Sequence, residues 1–452
     1  MNALANGNLL LIGWVNLFSY YLTFKFFNCL LIQNEYEYGK LITEGKTKKV
    51  YEVLNDPTLC LLQSKDCITA GDGEKSHDLK GKAAISTATT AKVFQLLNEA
   101  GIKTAFVKVI NDTAFVAQKC QMVPIEWVTR RLATGSFLKK HQGVPEGYRF
   151  NPPLGETYLK DDANHDPQWS KEQIISAGFI LNDLLIGKVE FDIMQHTALA
   201  VFEILEKAWA TKDCTLIDMK IEFGINVSHE IVVADIIDSD SWRLWPSGDK
   251  RLMKDKQVYR NLTTVTQDDL DIIKRNFEWV ADQLDYLLLP TSGLVVILMG
   301  SQSDEKHCKE IATYAKSLGL KAQLRVCSAH KSTQEILHIL AEYEGISKKV
   351  VLIAVAGRSN GLGPVLSGNT SLPVINCPPF KPETISQDLW SSINVPSGIG
   401  CTTVAYPESA ALAAAQIHAL HNHMVWARLR VKQLMNYIAL KQVDAKLKDL
   451  IL

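Results

Sequence analysis

The chain has 452 residues, more than one hydrophobic core usually serves, so its length predicts at least two domains. Its 47% hydrophobic and 21% charged residues are typical of a globular protein, and a formal net charge of −1 argues against a nucleic-acid partner. The nine cysteines are scattered without a Cys-x-x-Cys pair, which favours free thiols over disulfides or a zinc site. We therefore expect a cytosolic protein.

An apolar stretch near the N-terminus departs from this composition. Residues 9–32 contain one charge, Lys25, and are long enough to span a membrane. Lys25, Asn16 and Asn28 lie inside the stretch, where polar groups are costly, and neither a preceding basic segment nor a cleavage site indicates a secretory signal. We interpret residues 1–34 as a leader ahead of the functional protein. A membrane tether through residues 9–32 is the alternative.

Two domains with different patterns follow. Residues 38–289 mix short strand patterns with longer helical ones and predict an α+β domain. The sequence LPTSG at 289–293 marks a boundary, after which apolar runs alternate with helical patterns. This alternation predicts a doubly wound, three-layer α/β/α domain with a parallel sheet over residues 294–452. Its strand patterns cover residues 294–299, 322–327 and 349–355, and its helical patterns cover 308–318 and 333–343.

Three loops rich in small residues follow the strands of this second domain. Ligands of open parallel sheets bind beyond the carboxyl ends of the strands, so we expect the loops to converge. Ser301 and Ser303 offer an anion site at a helix start, and Lys331 adds positive charge. Asp304 is predicted to bind ribose hydroxyls, to cap the helix, or both. His330 titrates near neutrality and is the candidate for proton transfer. The loops read GSQSD at 300–304, SAHK at 328–331 and AGRSNGLGP at 356–364.

These loops exclude one common class and resemble another. A dinucleotide dehydrogenase is disfavoured because GSQSD lacks the G-x-G-x-x-G fingerprint, and we expect no NAD. The three loops, with SGN at 367–369 and PVI at 373–375, resemble the aminoimidazole ribotide (AIR) carboxylase of animals. The resemblance implies direct carboxylation by CO2, without biotin, metal or ATP for this step. It implies His330, Lys331 and Ser359 as catalytic residues and Ser301, Ser303, Asp304, Ser328, Asn360 and Gly361 as substrate-binding residues, with CO2 near 359–361.

One position departs from the carboxylase pattern. Where the family usually has Gly-Pro after the His-Lys pair, this chain has Ser332-Thr333. The spacing of Ser332 and Glu335 predicts a capping box that begins the next helix. We therefore expect the loop geometry to be kept.

The first domain carries a hairpin pattern in EGKTKK, which ends at Lys49. The chain has no G-x-x-x-x-G-K-[ST] motif, so we expect ATP to be bound by a hairpin and lysine side chains rather than by a P-loop. A solvated turn is the alternative interpretation of this motif on its own.

A stronger signal is the strict alternation in DMKIEFG. It places Asp218, Lys220 and Glu222 on one face of a strand, and IVVADII at 231–237 predicts an antiparallel partner that brings Asp235 near Glu222. Two facing carboxylates repel each other without a cation, so we predict Mg²⁺ between them and the ATP phosphates. An exposed strand with a Lys–Glu pair is the alternative.

Arginines beside acids or hydroxyls complete the pattern and suit bidentate binding of phosphate and carboxylate. The motifs EGKTKKVYE, ITAG, RRLATGS, KDDANHDP, DMKIEFG, DSWRLW and DKQVYR occur in this order over residues 40–289 and resemble the SAICAR synthetase family, an ATP-grasp-like fold. The resemblance places Lys160 and Asp161 along the active cleft. It also implies Lys46 and Lys220 at ATP, Glu222 and Asp235 on Mg²⁺, and Arg130, Ser136, Arg243 and Arg260 at the ribotide.

Both halves predict consecutive steps of purine-nucleotide synthesis. One half places a carboxylate on the imidazole, and the other activates that carboxylate with ATP for attack by L-aspartate. The resemblance implies a homo-octamer built on the carboxylase domains, with an Ala-rich helix over residues 408–423. The alternative is an active ligase whose second domain binds ribotide only as a sensor. We expect small-molecule substrates and no nucleic-acid partner.

Overall fold

The computed structural model describes residues 36–289, 293–381, 383 and 385–448. The apolar stretch at residues 9–32 lies outside this part of the chain, so both interpretations of it stay predictions. Within the described part, no helix has the length and apolar character needed to cross a membrane. The chain forms two compact units. Unit 1 comprises the described residues up to Gln95, Lys103–Phe202 and Lys212–Tyr286, and unit 2 comprises Leu96–Ile102, Glu203–Thr211 and the residues from Leu287 onwards.

Unit 1 is built on two antiparallel five-stranded sheets. Its strands are β1 Tyr38–Glu44, β2 Lys48–Val53, β3 Leu59–Ser64, β4 Cys67–Ala70, β5 Lys75–Asp78, β6 Phe106–Asn111, β7 Ala114–Gln118, β8 Cys120–Leu132, β9 Arg149–Leu159, β10 Ile180–Leu181, β11 Leu184–Leu185, β12 Cys214–Asn226, β13 Ile231–Ala234 and β14 Trp242–Pro246. The first sheet has the order β1-β2-β3-β7-β6, and the second has the order β13-β12-β8-β9 with β14 also paired to β12. The pairs β4-β5 and β10-β11 form small separate sheets.

Six helices accompany these sheets, and the last turns of two of them, α1 and α4, belong to unit 2. The helices are α1 Lys82–Ala100, α2 Ser136–Lys140, α3 Lys171–Ser176, α4 Lys188–Ala210, α5 Gln257–Asn261 and α6 Gln267–Leu287. The predicted α+β character of this half is confirmed. The predicted hairpin is also present, because β1 and β2 pair antiparallel across the turn that begins at Gly45.

The alternation predicted for DMKIEFG shapes the second sheet. Met219, Ile221 and Phe223 are buried on one face of β12, where the Phe223 ring packs edge-on against Trp127 of β8. The alternate positions point to the other face. The predicted partner strand is shorter than expected: β13 ends at Ala234, so the prediction that it continues to residue 237 is wrong.

Unit 2 contains a five-stranded parallel sheet with the order β16-β15-β17-β18-β19. The strands are β15 Gly293–Met299, β16 Lys321–Val326, β17 Lys349–Val355, β18 Val374–Asn376 and β19 Thr402–Thr403. The helices are α7 Glu305–Ser317, α8 Thr333–Glu344, α9 Leu362–Gly368, α10 Ile385–Ile393, α11 Pro407–Ala419 and α12 His423–Lys448.

The central strand β15 is buried on both faces, as its apolar run predicts. Val295 and Ile297 pack with residues of α7 and α11, whereas Val296 and Leu298 pack with residues of α8 and α9. The predicted three-layer α/β/α domain is thus confirmed. The Ala-rich segment predicted to be helical over 408–423 is helical as far as Ala419, where α11 ends, and α12 begins at His423.

Candidate functional site

A polar cavity of about 630 Å³ lies in unit 1, between the β1–β2 hairpin, the polar face of β12 and the loops beside them. It is lined by all eight residues predicted to bind ATP, Mg²⁺ or the ribotide, although they are up to 214 positions apart in sequence. They are Lys46, Arg130, Ser136, Lys220, Glu222, Asp235, Arg243 and Arg260. Lys160 also lines the cavity, whereas Asp161 does not and accepts a hydrogen bond from Asn164 Nδ2 at 2.7 Å. We call this space the synthetase cavity.

Lysine ammonium groups surround the two carboxylates predicted to bind metal. Glu222 Oε1 lies 2.5 Å from Lys220 Nζ, and its Oε2 lies 2.8 Å from Lys160 Nζ. Asp235 pairs with Lys48 and lies 3.9 Å from Lys220 Nζ. Burial alone would raise the pKa of Glu222, but the ammonium groups of Lys220, Lys160 and Lys48 together lower it to about 2. Glu126 Oε1 also lies 3.3 Å from Lys220 Nζ, so three ammonium groups and three carboxylates make up this cluster.

The backbone at Asp235 is unusual. This residue follows the last paired residue of β13, Ala234, which lies opposite Glu222. Its φ is +66°, the left-handed region that side chains other than glycine rarely adopt. Such conformations cluster at functional sites, where the surrounding structure maintains them.

Arginines form a second cluster on the same cavity wall. Asp218 Oδ2 accepts hydrogen bonds from Arg130 Nη1 at 2.7 Å and Arg243 Nη1 at 2.5 Å. Arg130 also pairs with Glu156 through Nε and reaches Ser136 Oγ at 3.4 Å through Nη2. Asp218 thereby fixes two guanidinium groups side by side, which is a geometry suited to an anion with several oxygens.

Arg260 adds positive charge without a matching carboxylate. Burial lowers its pKa, and the guanidinium of Arg243 lowers it further. Two neighbouring guanidinium groups repel unless an anion lies between them. Gly135 leaves room for this arrangement: a Cβ there would lie 2.6 Å from Arg243 Nη2, and its φ of +56° suits glycine.

The three loops of unit 2 also come together. The register pairs Met299 of β15 with Val326 on one side and Val355 on the other, so three neighbouring strands end at one level. Gly300 N donates to Val355 O at 2.9 Å, and Cys327 N donates to Met299 O at 3.0 Å. The segments that follow the three strands therefore form one rim, as predicted. We call it the carboxylase rim.

His330 lies on this rim against Gly361. A Cβ at position 361 would lie 2.8 Å from His330 Nε2 and 2.9 Å from its Cε1, so glycine allows the imidazole to approach the third loop. His330, Lys331 and Ser359 are exposed, and Ser328 is half-buried. An exposed imidazole beside an open backbone segment is available to a ligand.

The first loop is fixed by its serines. Ser301 Oγ accepts a hydrogen bond from Ser303 N at 3.3 Å and lies 3.0 Å from Ser303 Oγ. Asp304 precedes α7, but its side chain makes no capping hydrogen bond and instead accepts one from Ser303 Oγ at 3.3 Å. The capping role predicted for Asp304 is therefore wrong: Ser301 caps the 3-10 turn that leads into the helix.

Asn360 has its side chain turned into the protein and is only 3% exposed. Its Nδ2 donates to Asn376 Oδ1 at 3.2 Å and Ser392 Oγ at 3.0 Å, and its Oδ1 accepts from Gly363 N at 3.0 Å. The side chain holds the third loop in place. The backbone of this loop is engaged as well, because Asn360 N donates to Ser391 Oγ and Gly361 N donates to Ser359 O, each at 3.0 Å.

The capping box predicted at Ser332 and Glu335 is wrong. Ser332 occupies the N-cap position of α8, but its side chain makes no capping hydrogen bond. Thr333 Oγ1 instead donates to Ala329 O at 2.6 Å and ties the helix start to the preceding loop. Thr333, the second residue of the Ser-Thr departure, therefore joins the helix start to the loop.

Two family models match the chain over most of the described residues. The model described as SAICAR synthetase matches residues 41–275, and the model described as AIR carboxylase matches residues 294–437. A bifunctional phosphoribosylaminoimidazole carboxylase/phosphoribosylaminoimidazole succinocarboxamide synthetase of Drosophila melanogaster is 64% identical over 91% of this chain and 96% of its own length. The chain belongs to this family. Proteins of the same description from Mus musculus and Homo sapiens are 58% and 57% identical, each over 91% of this chain and 97% of their own length.

The chain is thus a bifunctional AIR carboxylase and SAICAR synthetase of purine biosynthesis. In this bifunctional enzyme, the synthetase cavity contains polar residues whose functions the sequence left open. Lys48 pairs with Asp235, whereas Lys49 lies 3.7 Å from Glu44 and Lys46 lies 3.0 Å from Asp162. Alternation along β2 would have distinguished Lys48 from Lys49 once the hairpin register was known.

Asp240, the first residue of the motif DSWRLW, is a second residue for which the sequence predicted no role. Its Oδ2 accepts hydrogen bonds from Lys82 and Lys256, each at 3.1 Å. Lys82 is 2% exposed, and burial is more than offset by Asp240 and Asp238, so its pKa is raised. The buried ammonium of Lys82 positions Asp240 at the cavity wall. Nothing in the motif DSWRLW indicates a partner so far away in sequence.

Proposed function

We propose that the synthetase cavity joins L-aspartate to the carboxylated ribotide and that the carboxylase rim makes this ribotide. The two domains are assigned to residues 38–289 and 294–452. The observation that carries the proposal is the convergence of all eight predicted synthetase residues on one cavity, where four lysines and three arginines of the proposed site lie together. Both ATP and a phosphorylated carboxyimidazole are polyanions, and ammonium and guanidinium groups are the donors that bind them.

In the carboxylase step, the ribotide phosphate binds the hydroxyl and backbone N–H groups of Ser301 and Ser303, assisted by Lys331. The electron-rich imidazole carbon attacks CO2 beside the Ser359–Gly361 backbone and forms a carbon–carbon bond. His330 takes up the proton that this ring carbon releases. Family membership favours this catalytic role over a ribotide sensor.

In the synthetase step, the Arg130–Asp218–Arg243 cluster, with Ser136 and Arg260, holds the ribotide. Lys46, Lys48, Lys160 and Lys220 face the ATP phosphates and neutralise charge on the transferred phosphoryl group. The carboxylate of the ribotide attacks the γ-phosphorus, ADP leaves, and the aspartate amine displaces phosphate from the resulting acyl phosphate to form the amide.

The two carboxylates also fit Mg²⁺. Among the described residues, no group of three or more His, Cys, Asp or Glu side chains is arranged to hold a metal ion. Glu222 and Asp235 both approach Lys220 Nζ, at 2.5 and 3.9 Å, so their carboxylates lie beside the same ammonium group. Carboxylate oxygens are the ligands that Mg²⁺ takes beside phosphate oxygens. When bound, Mg²⁺ would withdraw charge from the phosphates, and Lys220 and Lys160 would shift from carboxylate to phosphate.

Two variants test the assignment of each reaction to its site. Glu222→Gln should lower ADP formation from carboxylated ribotide, aspartate and ATP by at least about 100-fold, while carboxylation of aminoimidazole ribotide continues. His330→Asn should show the opposite pattern. If either variant loses both activities while remaining folded, or if His330→Asn carboxylates normally, the assignment is wrong.

We also propose a cytosolic homo-octamer assembled through the carboxylase domains, as the family resemblance implies. Light scattering after size exclusion measures this directly. A mass other than eight chains at working concentration would contradict it.

A further inference from the structure

A second cavity, of about 460 Å³, lies behind the sheet that forms the synthetase cavity. Side chains alternate along β8: Glu126 and Arg130 line the synthetase cavity, and Trp127 and Thr129 line the second space. We call this second space the rear cavity. Its volume is in the range of about 300–1,000 Å³ that is typical of small-molecule sites. Neither reaction described above uses it.

The inner part of the rear cavity is apolar and aromatic. Trp127, Phe191 and Pro153 are buried, and the Trp127 and Phe191 ring centroids are 5.0 Å apart. Trp169 forms another part of the wall, where Thr157 Oγ1 donates to its carbonyl at 2.6 Å and Trp169 N donates to Thr157 O at 2.9 Å. These hydrogen bonds fix the backbone of Trp169, and its half-buried ring offers a flat face to a planar ligand.

One donor in this wall has no acceptor. Trp127 is 3% exposed, and its Nε1 has no hydrogen-bond partner among the described residues. Buried indole N–H groups usually find one. A ligand with a carbonyl oxygen or an unprotonated ring nitrogen would supply it. At the exposed rim, Gln168 and Gln195 add amide groups that both donate and accept.

The charges indicate a neutral ligand. Lys171 pairs with Asp192, and Glu156 pairs with Arg130, so each charged group at the wall has its own counter-ion. A phosphate in the rear cavity would have to displace Asp192 from Lys171.

We propose that the rear cavity binds a neutral, bicyclic heteroaromatic ligand of the purine-nucleoside type, stacked on the aromatic wall with an acceptor on Trp127 Nε1–H. This ligand is distinct from the substrates of either reaction. Its site is connected to the synthetase cavity through Glu156, whose backbone belongs to the rear wall and whose carboxylate holds Arg130.

The test is isothermal titration of the full chain with inosine, at saturating ADP and Mg²⁺ so that the synthetase cavity is filled. The wild type should bind inosine saturably. Trp127→Phe keeps the ring but removes the N–H group, and should weaken binding about three- to tenfold. Gln195→Trp places a large side chain at the exposed rim and should abolish binding. Both variants should form ADP at the wild-type rate.

The matched control is Trp245→Phe. Trp245 is also buried, its Nε1 also lacks a partner, and it lines neither cavity, so its substitution should leave inosine binding unchanged. Inosine 5′-monophosphate tests the charge argument. Its phosphate should exclude it from the rear cavity, so wild type and Gln195→Trp should show the same affinity for it. The proposal is overturned if wild type shows no saturable inosine binding, or if Gln195→Trp binds inosine as well as wild type. If Trp127→Phe fails to fold, the binding of inosine to Gln195→Trp tests the proposal.

Discussion

At the scale of single residues, the contact between Gly361 and His330 gives a sharp prediction. Gly361 has a φ of −75°, which alanine adopts readily, so Gly361→Ala acts only through its added Cβ, 2.8 Å from His330 Nε2. The methyl group must displace the imidazole, and a displacement of about 1 Å can cost about 100-fold in rate. We expect kcat for carboxylation to fall at least about tenfold while the synthetase rate is unchanged.

The control is Gly368→Ala, in the same loop-and-helix segment, where the nearest atom to an added Cβ is Ile399 Cδ1 at an ordinary 3.7 Å. This variant should carboxylate normally. Equal loss of activity in both glycine variants would show that the effect comes from the segment and not from the histidine.

Asp255 predicts a pH dependence of stability. It is fully buried, and burial raises the pKa of its carboxyl from 3.8 to about 6 despite hydrogen bonds from Gln257 N and Leu244 N. Between these pH values the folded chain binds more protons than the unfolded chain, so the free energy of unfolding falls as pH rises. The contribution lost between pH 4 and pH 6 or above is about 3 kcal/mol.

Asp255→Asn removes this titration. We expect the stability difference, wild type minus variant, to decrease as pH rises from about 4 to about 6, and to be flat above that range. Urea unfolding across the pH range measures it, using the transition that ADP shifts. A difference that stays constant with pH would contradict the raised pKa.

The sequence was sufficient to predict the candidate site where the residues of a pattern lie on one strand. Alternation placed Asp218, Lys220 and Glu222 on one face of β12, and the structure has all three at the synthetase cavity. The sequence was insufficient where the residues in contact are far apart along the chain. Lys82 reaches Asp240 across 158 positions, and the rear cavity combines Trp127 with Phe191 of a helix, so neither arrangement has a local signature.

At the scale of elements, the start of α8 depends on a threonine side chain rather than on a capping box. Thr333→Ala removes the bond from Thr333 Oγ1 to Ala329 O and should lower the free energy of unfolding of unit 2 by about 1 kcal/mol. Ser332→Ala removes a hydroxyl that makes no capping bond and should cost less than about 0.5 kcal/mol. Urea unfolding of the two variants measures these losses. A larger loss for Ser332→Ala than for Thr333→Ala would support the capping box instead.

At the scale of the whole molecule, the two compact units should respond to different ligands. The proposed MgATP site lies in unit 1, so MgATP should raise the midpoint of that unit's thermal transition and leave the other unchanged. At a ligand concentration about 100 times Kd, the stabilisation is about 2.7 kcal/mol. Scanning calorimetry measures this. Glu222→Gln should reduce the shift, and a single transition that moves as one would show that the units unfold together.

The balance of charge in the synthetase cavity has a kinetic consequence. Its lining holds as many carboxylates as ammonium and guanidinium groups, so it should attract distant anions only weakly. Capture of ATP should therefore change little as ionic strength rises, because salt screens mainly long-range attraction. CO2 carries no charge, so its arrival at the carboxylase rim is indifferent to salt. A rise in cellular salt would thus leave formation and consumption of the carboxylated intermediate in nearly the same proportion.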